Sequence, residues 1–124
     1  MTTNVYLVVA EEVESSEYST WIVAAYTSRE QAQAHIDLIM TLHKPVQEAW
    51  EAVEKARNEN RRQDVAELWE QYDNLRDGLV DNLKKSGLDP RAEYNAEGIV
   101  YKIKELPLFR HVDEFLEQPA KISD

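Results

Sequence analysis

The sequence contains no cysteine, and its 124 residues include only three glycines and four prolines. The absence of cysteine excludes disulfide bonds, thiolate nucleophiles and cysteine-based zinc sites. Neither a glycine-rich phosphate loop nor a nucleophile elbow occurs. No apolar run approaches the roughly 20 residues that span a bilayer, and the N-terminus lacks a signal-peptide pattern. We therefore expect an unprocessed, soluble protein of the cytoplasm.

Basic residues are also scarce: 24 acidic residues against 14 basic ones give a formal net charge of −10. A charge of this sign repels nucleic acid and anionic membranes, so we expect neither as a direct partner. It favours a partner with a basic surface. The alternative is that the acidic residues serve solubility alone.

The polar residues form no recognisable metal or catalytic motif. His35 and His43 lie eight residues apart, and no His-x-x-x-His pair exists. Segment 11–17 has four glutamates but lacks the glycine turn of a calcium loop. Ser28, His35 and Asp37 are triad residue types, but on one helix a spacing of two separates the side chains. We expect no metal site, no cofactor and no enzymatic activity.

Three segments have the pattern of β-strands. Segment 4–10 is apolar on both faces, which predicts a central strand covered on both sides. Segment 21–26 is an unbroken apolar run and predicts an antiparallel partner, joined through the glutamate-rich loop. Segment 99–106 alternates apolar residues with Lys102 and Lys104, which predicts an edge strand with one wet face.

A capping box formed by Thr27 and Glu30 predicts the start of an amphipathic helix directly after the second strand. Its apolar residues are Ala32, Ile36, Ile39 and Met40. Pro45 cannot donate a backbone hydrogen bond and restricts the residue before it. We therefore expect this helix to end near His43 and a new helix to begin at Pro45.

The region after Pro45 carries two apolar stripes that are out of phase. The break falls in segment 57–62 and predicts a turn between two helical arms, with Asn60 and Gln63 capping the second. The alternative is one continuous helix. Gly87 is suited to the left-handed cap that ends the second arm. The basic residues at the turn are expected to be solvated: Lys55, Arg57, Arg61 and Arg62. The alternative is that they contact an acidic neighbour, an RNA or another subunit.

These elements predict one α+β domain over residues 1–124. A small, mainly antiparallel three-stranded sheet and a packed helix form a core from 4–44 and 98–106. A long helical hairpin, 45–87, is inserted, and a short turn and tail follow at 107–124. The predicted order is β-β-α-α-α-β.

Part of this pattern resembles a loose group of small uncharacterised phage and prophage proteins. The residues that carry the resemblance are Val5-Tyr6-Leu7-Val8, Tyr18-Ser19, Trp21, Val23-Ala24-Ala25-Tyr26 and Ala34-His35-Ile36, with Asp89-Pro90, Tyr94 and strand 101–106 in the closing segment. The similarity covers the sheet and the first helix, about half of the chain, and carries no chemistry. It implies a mobile-element accessory protein, a class that often inhibits or modulates host machinery.

The second arm of the hairpin carries the strongest candidate for a functional surface. At 100° per residue, its carboxylates fall within an arc of about 120°, away from the apolar stripe. Two apolar residues beside this arc would complete a docking surface for a basic partner. The candidate partner-binding residues are Glu67, Trp69, Glu70, Asp73, Asp77, Val80 and Asp81. The alternative is a solvated helix face, with Trp69 packed against the other arm.

The sequence therefore predicts a non-enzymatic acidic binding protein, and the resemblance implies that it is of phage or mobile-element origin. It would dock on a host protein with a basic surface and inhibit or modulate it, and a defence system of the CRISPR or restriction type is the first candidate. A homodimer is left open. The alternative function is a small-ligand binding or sequestering protein, with Tyr6, Tyr26 and Tyr101 lining an aromatic pocket near the sheet.

Overall fold

The computed structural model describes residues 3–12, 19–92 and 99–109. The elements are β1 (Thr3–Glu12), β2 (Ser19–Tyr26), α1 (Arg29–Asn58), α2 (Arg62–Ser86) and β3 (Ile99–Leu108). The α+β class is confirmed, but the order is β-β-α-α-β, with two helices where three were predicted. The predicted loop beyond Glu12 and the turn and tail beyond Phe109 lie outside the described residues.

The sheet has the order β2-β1-β3, and both pairings are antiparallel. The prediction that β1 is central and β3 an edge strand is therefore confirmed. Val8 lies opposite Ala24 while Val9 lies opposite Ile22, so β2 holds one extra residue, a β-bulge. β3 continues through Pro107 beyond the predicted end at residue 106. An edge strand tolerates proline because one of its sides forms no backbone hydrogen bonds with another strand.

The two faces of the sheet differ in what covers them. Val8 and Ala10 are fully buried in a core cluster that includes residues of both helices and Tyr101. The other face carries Val9, Ile22 and Val100, and none of these belongs to that cluster. Ile22 is 61% exposed. Both described helices pack on the face that carries Val8 and Ala10. On the other face Val9 is only 5% exposed, so coverage of β1 on both sides stays a prediction.

α1 runs without interruption through Pro45 for 30 residues. The predicted helix break at His43 is therefore wrong, as is the separately inserted hairpin that would begin at residue 45. Proline removes one hydrogen bond to the preceding turn and costs about 3 kcal/mol inside a helix. Ile39, Val46 and Val53 are buried on both sides of Pro45, and their burial offsets that cost. The first arm of the hairpin is the C-terminal half of α1.

The cap of α1 lies one residue later than predicted. Ser28 is the N-cap, with its hydroxyl accepting a hydrogen bond of 3.4 Å from the backbone N–H of Gln31. Thr27 precedes the cap. The sequence Ser28-x-x-Gln31 also satisfies the capping-box pattern. The prediction of a capped helix start was therefore correct, but the predicted cap was one residue too early.

The turn between the helices falls within the predicted segment. Asn60 has a φ of 58°, in the left-handed region, and Arg61 is the N-cap of α2 without a side-chain cap. The predicted capping box of Asn60 and Gln63 is therefore wrong, because an N-cap residue needs an extended backbone. At its other end, α2 stops as predicted at Gly87, which is left-handed with a φ of 78°.

Candidate functional site

An aromatic cluster fixes the two helices against each other near the hairpin turn. The ring centroid of Trp69 lies 5.4 Å from that of Trp50 and 5.9 Å from that of Tyr72, and Trp50 and Tyr72 are 5.2 Å apart. The Arg57 guanidinium lies over both indole rings. Trp69 thus packs against the other arm, which is the alternative that the sequence left open.

The carboxylates of α2 lie on the opposite side from its buried residues, as helical spacing requires. We define the acidic face as Glu67, Glu70, Asp73, Asp77 and Asp81. Asp73 is half-buried and the other four are exposed. The face runs from Glu67 to Asp81, a separation of 14 positions, which is about 21 Å of helix. The structure thus brings together the charged members of the predicted surface.

Cations neutralise part of the acidic face. Arg76 lies 3.1 Å from the Asp73 carboxylate and 4.0 Å from that of Asp77, and Lys85 Nζ lies 2.9 Å from Asp81. The solvent-exposed pair of Lys85 and Asp81 contributes only about 0–1 kcal/mol. Among the described residues Glu67 and Glu70 form no ion pair. Five carboxylates against two cations leave the face with a charge of −3.

The apolar members of the predicted surface are directed inward. Val80 is only 7% exposed and belongs to the core cluster, and Trp69 is half-buried in the aromatic cluster. Neither is available as an exposed anchor for a partner. The large apolar side chain exposed on α2 is Leu75. Helical spacing places Leu75 at one border of the buried face, and this border is the one farther from the acidic face. The acidic face is therefore a polar surface.

A buried carboxylate joins the end of α2 to the sheet, and sequence reasoning missed this role. Asp89 is fully buried and accepts hydrogen bonds from Trp21 Nε1 at 2.9 Å, the Tyr101 hydroxyl at 2.6 Å and the backbone N–H of Arg91 at 3.1 Å. In the sequence Asp89 stands out only as one of the residues that carry the resemblance to phage proteins. The available signal was indirect: buried tryptophan and tyrosine usually need a polar partner.

The two described histidines on α1 serve the same junction. His35 Nε2 donates a hydrogen bond of 2.7 Å to the Leu88 carbonyl, and in the neutral tautomer Nδ1 accepts one of 2.7 Å from the Tyr26 hydroxyl. Burial lowers the pKa of His43, and the nearby Asp89 charge opposes this in part. No group of three metal-ligating side chains occurs within the described residues.

The three tyrosines of the alternative pocket do not come together. Tyr6 and Tyr26 are directly opposite each other, whereas Tyr101 lies opposite Ala10, about 13 Å farther along β1. The hydroxyls of Tyr26 and Tyr101 are engaged by His35 and Asp89. This arrangement removes the geometric basis for one pocket lined by all three rings.

The chain matches no protein-family model, and searches of curated proteins and of solved structures found no match either. None of the described helices combines the length and the apolarity that a bilayer-spanning helix needs.

Proposed function

We propose that this protein is a non-catalytic binding protein that docks the acidic face of α2 on a basic surface of another protein. The observation that carries this proposal is the alignment of five carboxylates along about 21 Å of one helix side, of which only three pair with a cation among the described residues, Arg76 or Lys85. Such a row creates a directional negative potential that a basic surface complements.

The rest of the hairpin supports this use of the acidic face. The aromatic cluster of Trp50, Trp69 and Tyr72 holds α2 against α1, so the carboxylates are presented on a fixed support. Preorganisation of this kind lowers the entropy lost on binding. Because the face has no apolar anchor, binding rests on charge and is expected to weaken steeply with salt.

The biological role is inferred from the resemblance to phage and prophage proteins. In this proposal the partner is a host protein, and docking inhibits or modulates it. Nucleases of defence systems are the first candidates, because proteins that bind nucleic acid need a basic surface, and the acidic face is complementary to such a surface.

Affinity capture from a host lysate tests the proposal when three proteins are compared. The wild-type chain is set against a variant with Glu67→Gln, Glu70→Gln, Asp77→Asn and Asp81→Asn. The control carries four glutamine substitutions at exposed glutamates of α1, and so the same change of charge: Glu30, Glu48, Glu51 and Glu54. We expect one protein to be retained by the wild type and the control and lost with the α2 variant. Equal retention by all three would refute docking through the acidic face.

A further inference from the structure

The tip of the hairpin has the opposite charge to the rest of the molecule. Lys55, Arg57, Arg61 and Arg62 lie within eight residues of a chain whose net charge is −10. A depression of about 280 Å³ opens here, between the end of α1 and the start of α2. Its lining residues are Ala56, Arg57, Asn60, Arg61, Arg62 and Val65. Three arginines are therefore among the residues that line one concave surface.

Arg57 is held in place by its aromatic neighbours. Its guanidinium carbon lies 5.0 Å from the ring centroid of Trp69 and 5.8 Å from that of Trp50. A cation–π contact does not use up the N–H donors of a guanidinium group. No carboxylate pairs with Arg57 in the described part of the chain. Arg57 therefore lies against the aromatic cluster and keeps N–H donors that these contacts do not use.

The other two arginines differ in their availability. Arg61 lies 2.8 Å from the Glu59 carboxylate and 3.1 Å from that of Asp64. These two ion pairs engage Arg61 in stabilising the turn. Arg62 has no ion pair among the described residues. α2 begins at this point without a side-chain cap, and its N-terminus adds a partial positive charge. Arg57 and Arg62 are therefore the groups available to an anion.

We propose that this depression binds a phosphoryl group carried by a small molecule. Planar guanidinium groups match phosphate oxygens in geometry and charge, which favours a phosphoryl group over a simple halide. The carboxylates of Glu59 and Asp64, and the acidic face farther along α2, would repel an extended polyanion such as RNA. The site is separate from the acidic face, so it does not depend on the proposed docking function.

Titration of the full chain with inorganic phosphate, ADP and a single-stranded RNA oligonucleotide, at low salt and followed by NMR, tests the proposal. We expect phosphate and ADP to shift the backbone signals of residues 57–63. Arg62→Gln should weaken binding about tenfold, as expected for loss of a charge-assisted hydrogen bond. Arg57→Lys keeps the charge and loses the planar fork, and should also weaken binding. Lys84→Gln makes the same change of charge about 33 Å away and should leave affinity unchanged.

Each arm of the titration has a decisive outcome. Equal binding of phosphate and ADP would show that the site reads the phosphoryl group alone, and tighter binding of ADP would show that the carrier contributes; both support the proposal. The proposal is overturned if neither phosphate nor ADP shifts the tip signals, or if RNA alone does so. It is also overturned if Arg62→Gln and Lys84→Gln weaken binding equally, because the effect would then be that of net charge.

Discussion

The Tyr101 hydroxyl donates a hydrogen bond of 2.6 Å to the carboxylate of Asp89, and both residues are buried. The second oxygen of the same carboxylate accepts from Trp21 Nε1. One side chain in the segment after α2 thereby contacts β3 through Tyr101 and β2 through Trp21. This carboxylate ties the helical hairpin to the two edge strands of the sheet.

Replacement of Asp89 by alanine should therefore destabilise the fold strongly. The substitution leaves the Trp21 and Tyr101 donors buried without an acceptor, at about 1–3 kcal/mol for each group. We expect a total loss of about 3 kcal/mol, measured by urea denaturation. Asp81→Ala removes an exposed carboxylate that pairs with Lys85 and serves as the control, with an expected loss below about 1 kcal/mol. Similar losses for the two variants would contradict the role given to Asp89.

Tyr101 should make the stability of the protein sensitive to alkaline pH. Burial, together with the hydrogen bond to Asp89 and its charge, raises the pKa of Tyr101 above its usual value of about 10. Above pH 10 the unfolded chain releases the phenolic proton while the folded chain retains it. The contribution of Tyr101 is thus complete below pH 10 and is lost as the pH rises further.

The measurement is urea denaturation of the wild type and Tyr101→Phe between pH 8 and 11, pH values chosen to bracket a pKa of about 10. We expect the variant to be less stable at pH 8 by about 1–2 kcal/mol and to lose less stability on the way to pH 11. Tyr6→Phe is the control, because the described residues give the Tyr6 hydroxyl no hydrogen bond. An unchanged alkaline slope in Tyr101→Phe would count against this account.

His43 should act at the other end of the pH range. Burial lowers its pKa from the usual value near 6.5, partly opposed by the charge of Asp89. A histidine with a lowered folded pKa stabilises the fold fully above pH 6.5, and this contribution is lost as the pH falls below 6.5 towards the folded pKa. We expect His43→Gln to lose less stability than the wild type between pH 7 and 5.5, measured by thermal unfolding. A slope identical to that of the wild type would show that His43 is not responsible.

The left-handed backbone at Asn60 predicts substitutions of opposite sign on the two sides of the turn. Glycine adopts a φ of 58° without steric strain, so Asn60→Gly should raise the free energy of unfolding by up to about 1 kcal/mol. Asn58 is the last residue of α1. Because glycine disfavours the helix, Asn58→Gly should lower the free energy of unfolding by about 0.5 kcal/mol. Urea denaturation of both variants checks this, and a destabilised Asn60→Gly would contradict the turn geometry.

Local sequence patterns predicted the strands and turns that neighbouring residues in the sequence determine. Alternation in segments 4–10 and 99–106 located the central and edge strands, and the phase break at 57–62 located the turn. The break expected at Pro45 failed because buried residues on both sides of the proline hold α1 together, which is a tertiary effect. The junction at Asp89 was missed for a similar reason, since Trp21 lies 68 residues away in sequence.

The acidic face itself was predictable, because helical spacing alone places its carboxylates on one side of α2. The burial of its apolar neighbours was not predictable from the sequence. Trp69 and Val80 lie at the border of the buried arc, and their burial depends on where α1 packs. Arg76 also lies at that border, and its pairing with Asp73 and Asp77 depends on side-chain direction.

Site-specific photo-cross-linking to the captured partner tests the central claim most directly. Asn74 is exposed and helical spacing places it among the carboxylates of the acidic face, whereas Gln47 is exposed on α1. A photoreactive residue at position 74 should give a covalent adduct with the partner at low salt, and the adduct should disappear as salt is raised. The same group at position 47 should give none. An adduct from position 47 with none from position 74 would contradict docking through the acidic face.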